Sequence, residues 1–193
     1  ASLMVRENSN RTLAETATAP CEFSWPLHES TDSTPRCSEH AVSGCLYIHA
    51  DGTWGRNGTT DALMHRENLQ HYPRLLGALR SSGRVRSVLD AGACDGFSTV
   101  LFARALPEAT VVAVEPVVDN FNLMVRNVAS LQPRVRLLRA ALWSRSATMS
   151  VVPANHWGAW AHRIEVHALA RRPSGAAEEM PAVTVDRLLA MAC

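Results

Sequence analysis

The chain has 193 residues, 47% of them hydrophobic and 19% charged, a balance that supports a folded core and excludes general disorder. At roughly 150 residues per domain, this length allows one domain with an extension rather than two full domains. All 19 basic residues are arginines, which excludes a lysine Schiff base, a pyridoxal lysine and a P-loop lysine, and the net charge of +1 supplies no field for nucleic acid or a membrane surface.

Residues 1–60 are rich in Ser, Thr, Glu, Pro and His and show no sustained period apart from the short apolar stretch Cys45-Leu46-Tyr47-Ile48; they read as an irregular amino-terminal extension. Residues 61–193 read as the domain proper. Between Thr60 and Ser81, Leu63, Met64, Tyr72, Leu75, Leu76 and Leu79 keep helical spacing across Pro73, which predicts two short helices or one kinked helix. Val85 to Asp90 predicts a buried strand, Phe97 to Leu106 a helix stopped by Pro107, and Thr110 to Val114 a second strand. A helix from about Val118 to Leu131 and a strand from Val135 to about Leu142 complete the alternation. This rhythm means right-handed βαβ units and a parallel sheet, an α/β fold. Thr148 to Val152 and Ala182 to Val185 predict two further short strands.

No run approaches the roughly 20 apolar residues that a spanning helix needs. Cys21, Cys37 and Cys45 cluster in the extension, and two of them could pair in an oxidising compartment, where Asn10-Arg11-Thr12 and Asn57-Gly58-Thr59 would read as glycosylation acceptors. No apolar leader precedes them, which favours the cytoplasm over the secretory lumen.

The chemistry concentrates in Asp90-Ala91-Gly92-Ala93-Cys94-Asp95-Gly96, between the first strand of the alternation and its helix. Gly92 and Gly96 permit a tight turn and close approach of a ligand to backbone. The dinucleotide pattern G-x-G-x-x-G fails at Ala93, so a nicotinamide site is the weaker reading. A strand ending in Asp90 suits an amine-bearing ligand, and Glu115, at the end of the next strand, can accept both hydroxyls of a ribose. S-adenosylmethionine combines a ribose, an amino group and a sulfonium without phosphate.

Five ordered pieces then resemble the FkbM-type methyltransferases: Val88 to Thr99, Val114-Glu115-Pro116, Asn120 to Asn127, Ala140-Ala141-Leu142, and Val183 to Leu189. The resemblance implies a Rossmann-like class I methyltransferase sheet, S-adenosylmethionine as cofactor, and methyl transfer to a hydroxyl of a small molecule or glycan. By position it implies that Asp90, Gly92 and Gly96, with Ala93 in the same turn, line the methionine end, that Glu115 holds the ribose, and that Ala141 faces the adenine. The family continues into further strands beyond the point matched by Cys193. The expectation is therefore a sheet lacking its carboxyl-terminal strands, its central edge covered by the extension or by a second copy in a homo-oligomer.

His156, Trp157, Trp160, His162 and His167 offer a general base or, with Glu165, a loose metal set, against a plain aromatic surface loop. No catalytic residue and no metal ligand is assigned from them. A non-catalytic binding module that keeps the fold is the competing reading.

Overall fold

A computed structural model describes residues 2–7, 45–152, 163–166 and 178–192. The alternating apolar segments form β4 (Val85–Ala91), α3 (Phe97–Ala105), β5 (Thr110–Val114), α4 (Val118–Val128) and β6 (Val135–Leu138). The three strands are parallel neighbours in the order β4-β5-β6. Val111 and Ala113 face one side of β5, Val112 and Val114 the other, and all four are at most 1% exposed. A strand buried on both faces needs an unbroken apolar run, which Thr110-Val-Val-Ala-Val supplies.

On one face, Val100, Phe102 and Ala103 of α3 and Phe121, Met124 and Val128 of α4 close over Val88, Val111 and Ala113. On the other, Leu188 and Ala192, from and just after α5 (Val185–Met191), cover Leu89, Val112, Val114 and Leu138. The end of α5 is tied down by the Ser87 hydroxyl, which donates to the Ala192 carbonyl at 3.1 Å, and by Arg136, which donates to the Met191 carbonyl. The described residues thus form a mixed α/β fold with helices on both faces of a parallel sheet core.

Ahead of this core, α1 (Asp61–His71) and α2 (Pro73–Ser82) are separate helices, with Pro73 at the first position of the second. Proline is tolerated there because the missing N–H would have no intrahelical partner. Gly83, at φ 63°, ends α2 in the left-handed conformation.

Three observations depart from the sequence reading. Strands lie within the stretch read as irregular: β1 (Ser2–Glu7), and a hairpin of β2 (Leu46–Ile48) and β3 (Trp54–Arg56). β1 pairs antiparallel with β4 from Ser2 opposite Ala91 to Glu7 opposite Val85, so the free edge of β4 is covered from within the chain. The strand predicted from Val135 to Leu142 is also divided. Glu115 N–H donates to Leu138 O at 3.2 Å as β5 ends, and beyond Leu138 the chain crosses to β7 (Ala141–Leu142) of a second sheet, ordered β7-β10-β8-β9. There β10 (Glu178–Val183) runs parallel to β7 and antiparallel to β8 (Ala147–Val152), which pairs with β9 (Arg163–Val166). Finally, the strand expected to reach Val185 stops at Val183, because Thr184 caps α5, its Oγ1 accepting Arg187 N–H at 3.4 Å.

Candidate functional site

The loop between β4 and α3 sits at the carboxyl end of the parallel strands, where α/β sheets bind ligands. Gly92 and Ala93 N–H both donate to Val114 O, at 2.9 and 3.0 Å, so the turn is fastened to β5. Gly92 (φ 73°), Cys94 (φ 53°) and Gly96 (φ 83°) adopt left-handed conformations. The two glycines differ in surroundings. A Cβ on Gly92 would meet open space, whereas one on Gly96 would lie 2.8 Å from Met124 Cγ and 3.2 Å from Met124 Cα. Gly92 leaves room for a ligand, and Gly96 lets α3 and α4 pack closely.

Asp90 is fully buried. Its Oδ2 accepts the Ser98 and Thr99 hydroxyls at 2.8 and 2.6 Å, and its Oδ1 meets no hydrogen-bond partner among the described residues. Burial raises its carboxyl above the ordinary range, against the lowering effect of those two hydroxyls. Asp90 therefore faces the first turn of α3 from beneath. Ala93 is equally buried, packed in the core under α3 and α4.

Glu115 follows β5 and is 4% exposed. Its Oε2 accepts Cys94 N–H at 2.9 Å, and its Oε1 accepts Val117 N–H at 2.9 Å and Asn120 Nδ2 at 3.3 Å. The carboxylate clamps the glycine turn to the start of α4. Ala141 is buried beside Val117, Met149 and Met180, so it neighbours the loop that carries Glu115. The structure thus brings Gly92 and Glu115 to one strand end with Ala141 adjacent, while Asp90, Ala93 and Gly96 lie within the packing. Burial, then the charges of Asp95 and Glu115, push the Cys94 thiol well above its usual value, so a thiolate nucleophile is disfavoured.

Behind the turn lies a polar cluster that no sequence pattern announced, because its members come from four separate segments. Asp95 is 2% exposed, and its carboxyl is pushed up to about 8 by burial and then by the charge of Asp61. Asp61, 1% exposed, is paired with Arg56 through Nε at 2.8 Å and Nη2 at 3.0 Å. Asn127 donates to Asp95 O at 2.9 Å and to Trp54 O at 3.0 Å and accepts Trp54 N–H at 2.6 Å, while Arg126 lies 4.5 Å from the centre of the Trp54 ring. The hairpin is thereby fixed to the glycine turn and α4.

On the same flank the rings of His49 and His65 stack 3.7 Å apart, both edge-on to Phe97. His65 Nε2 lies 3.1 Å from Asp51 Oδ2. Burial acts to raise the Asp51 carboxyl, but the Thr53 hydroxyl and N–H and His65 outweigh it and hold it down at about 2. His49 is lowered by burial and then by His65. Among the described residues no group of three or more His, Cys, Asp and Glu could hold a metal ion, and no helix is long and apolar enough to cross a membrane. His156, Trp157, Trp160, His162 and His167 lie outside the described residues, and only the backbone of Glu165, in β9, is described.

No protein-family model matches this chain, and no curated protein is significantly similar to it.

Proposed function

We propose that the chain is an S-adenosylmethionine-dependent methyltransferase of the FkbM kind, with a Rossmann-like sheet, acting on a hydroxyl of a small molecule or glycan. The observation that carries this reading is the pairing of Gly92, open at its Cβ position, with the Glu115 carboxylate at the ends of adjacent parallel strands.

The residues present fit such a cofactor at two points. The space at Gly92 is one that any side chain would fill, which suits a ligand lying against backbone. A carboxylate is the group that accepts the two hydroxyls of a ribose diol, and Glu115 carries one at the same strand end as the open Gly92. Ala141, beside Val117, would lie toward the adenine. Asp90 does not fit a direct contact, since its carboxyl is sealed beneath α3; its part is to hold the first turn of that helix. When bound, the cofactor supplies an electrophilic methyl group. The protein's own contribution is alignment, which for attack by an oxygen nucleophile accounts for much of the acceleration.

The test is calorimetric titration of the folded chain with S-adenosylmethionine and S-adenosylhomocysteine. Binding of both is expected, weakened by Glu115→Ala and by Gly92→Ala in protein whose circular dichroism is unchanged. A folded chain that takes up neither compound overturns the reading. The near-complete burial of Glu115 favours a second reading, a binding module that keeps the fold without turnover. Cofactor binding without methyl transfer to any of a panel of sugar and phenol hydroxyls would support that alternative.

A further inference from the structure

The turn that joins the hairpin to α1 brings two features of one chemical environment into contact. Asn57 N–H donates to the Cys45 carbonyl at 2.8 Å, and Cys45 is disulfide-bonded. Asn57 opens the triplet Asn57-Gly58-Thr59, the acceptor pattern for N-linked glycan. Residues 57–60 span the gap between Arg56 and Asp61, whose buried ion pair anchors the turn at both feet. Between those anchors Gly58 and Thr59 are exposed, and Gly58 takes φ 75°. The Thr59 hydroxyl donates to Arg56 O at 2.8 Å on the solvent side. Asn57 itself is half-buried, and the exposed Gly58 and Thr59 beside it leave a large modification a path to solvent.

We propose that Asn57 carries an N-linked glycan, added in the oxidising compartment in which Cys45 is paired. Disulfides persist in secretory lumens and are rare in the cytosol, and glycosylation of such a triplet belongs to the same lumen. In the transfer, Asn57 Nδ2 forms a bond to the anomeric carbon of a lipid-diphosphate-linked oligosaccharide. The bond from that carbon to the diphosphate oxygen breaks, the lipid diphosphate leaves with the electron pair, and the amide proton passes to base. No oxidant or reductant is consumed in that step. Neither modification depends on methyl transfer, so the two readings stand or fall separately.

The experiment is peptide mapping of the protein isolated from the cells that make it, cleaved after arginine, with and without a peptide N-glycosidase. The peptide from Asn57 to Arg66 is expected mainly in glycosylated form, and to appear after glycosidase with Asn57 converted to Asp. The peptide bearing Cys45 is expected to resist alkylation until reduced. Asn57→Gln and Thr59→Ala should each remove the mobility shift, and Thr59→Ser should retain it. Recovery of the 57–66 peptide wholly unmodified, a glycan confined to Asn10, or a freely alkylated Cys45 would overturn the proposal.

Discussion

Glu115 Oε2 accepts the backbone N–H of Cys94 across 2.9 Å, joining two loops 21 residues apart in the chain. One carboxylate thereby sets the height of the glycine turn above the sheet and, through Val117 N–H, the start of α4. A residue placed to meet a ligand is also a structural clamp, so its removal is expected to act on both properties.

Glu115→Ala leaves the N–H groups of Cys94 and Val117 without their acceptor. At about 1–3 kcal/mol for each unsatisfied group, the loss is about 2–6 kcal/mol. In a chain of this size, at about 2–4 °C per kcal/mol, that lowers the melting temperature by about 4–24 °C. Differential scanning calorimetry checks it, and an unchanged melting temperature would contradict the clamp.

The two glycines of the turn are expected to respond differently. Gly92→Ala meets only the cost of a left-handed conformation, about 1–2 kcal/mol, because nothing occupies the Cβ position. Gly96→Ala adds a contact 2.8 Å from Met124 Cγ and a close approach to the α4 backbone, for a total of about 2–5 kcal/mol. Urea denaturation of both variants should rank Gly96→Ala as the less stable.

Asn127 is the pin of the hairpin, bonded to both backbone groups of Trp54 and to Asp95 O. Replacement by leucine keeps the bulk and removes all three bonds. A loss of about 2–4 kcal/mol is expected. Hydrogen exchange should quicken at the Trp54 amide far more than in β5, since only the hairpin is released.

Asp95 is expected to make stability depend on pH. Its folded pKa of about 8 lies above the ordinary 3.8, so between these values the folded state holds a proton that the unfolded state has released. Its contribution is fully present below about pH 4 and is lost as pH rises through 8, because stability falls with pH wherever the native state binds more protons. In Asp95→Asn this dependence disappears. Chemical denaturation at pH 5, 7 and 9 should show the variant gaining on the parent as pH rises, and parallel profiles would refute the assignment.

Much of the core was readable from local chemistry. Pro73 divides α1 from α2 because it lacks an N–H, and the unbroken apolar run of Thr110-Val-Val-Ala-Val marks a strand buried on both faces. The order of strands and helices followed from the same periodicities. Glu115 and Gly92 were likewise legible as residues that share a strand end, since parallel pairing carries Ala91 beside Val114.

What the sequence could not state was which partner each polar group would take. Asp90 and Glu115 are both carboxylates at strand ends. Yet the face of β4 on which Asp90 stands turns it beneath α3 toward Ser98 and Thr99, while Glu115 emerges past the end of β5 to meet the turn. Gly92 and Gly96 are the same residue in one loop, distinguished only by the passage of Met124 over the second. The joining of Trp54, Asp95 and Asn127, and the pairing of β1 with β4, depend on contacts between distant segments. Periodicity records which face of an element is apolar, a local property of the chain. The neighbour that meets each polar atom is decided only when the layers pack, because burial obliges that atom to find a partner wherever the fold brings one within reach.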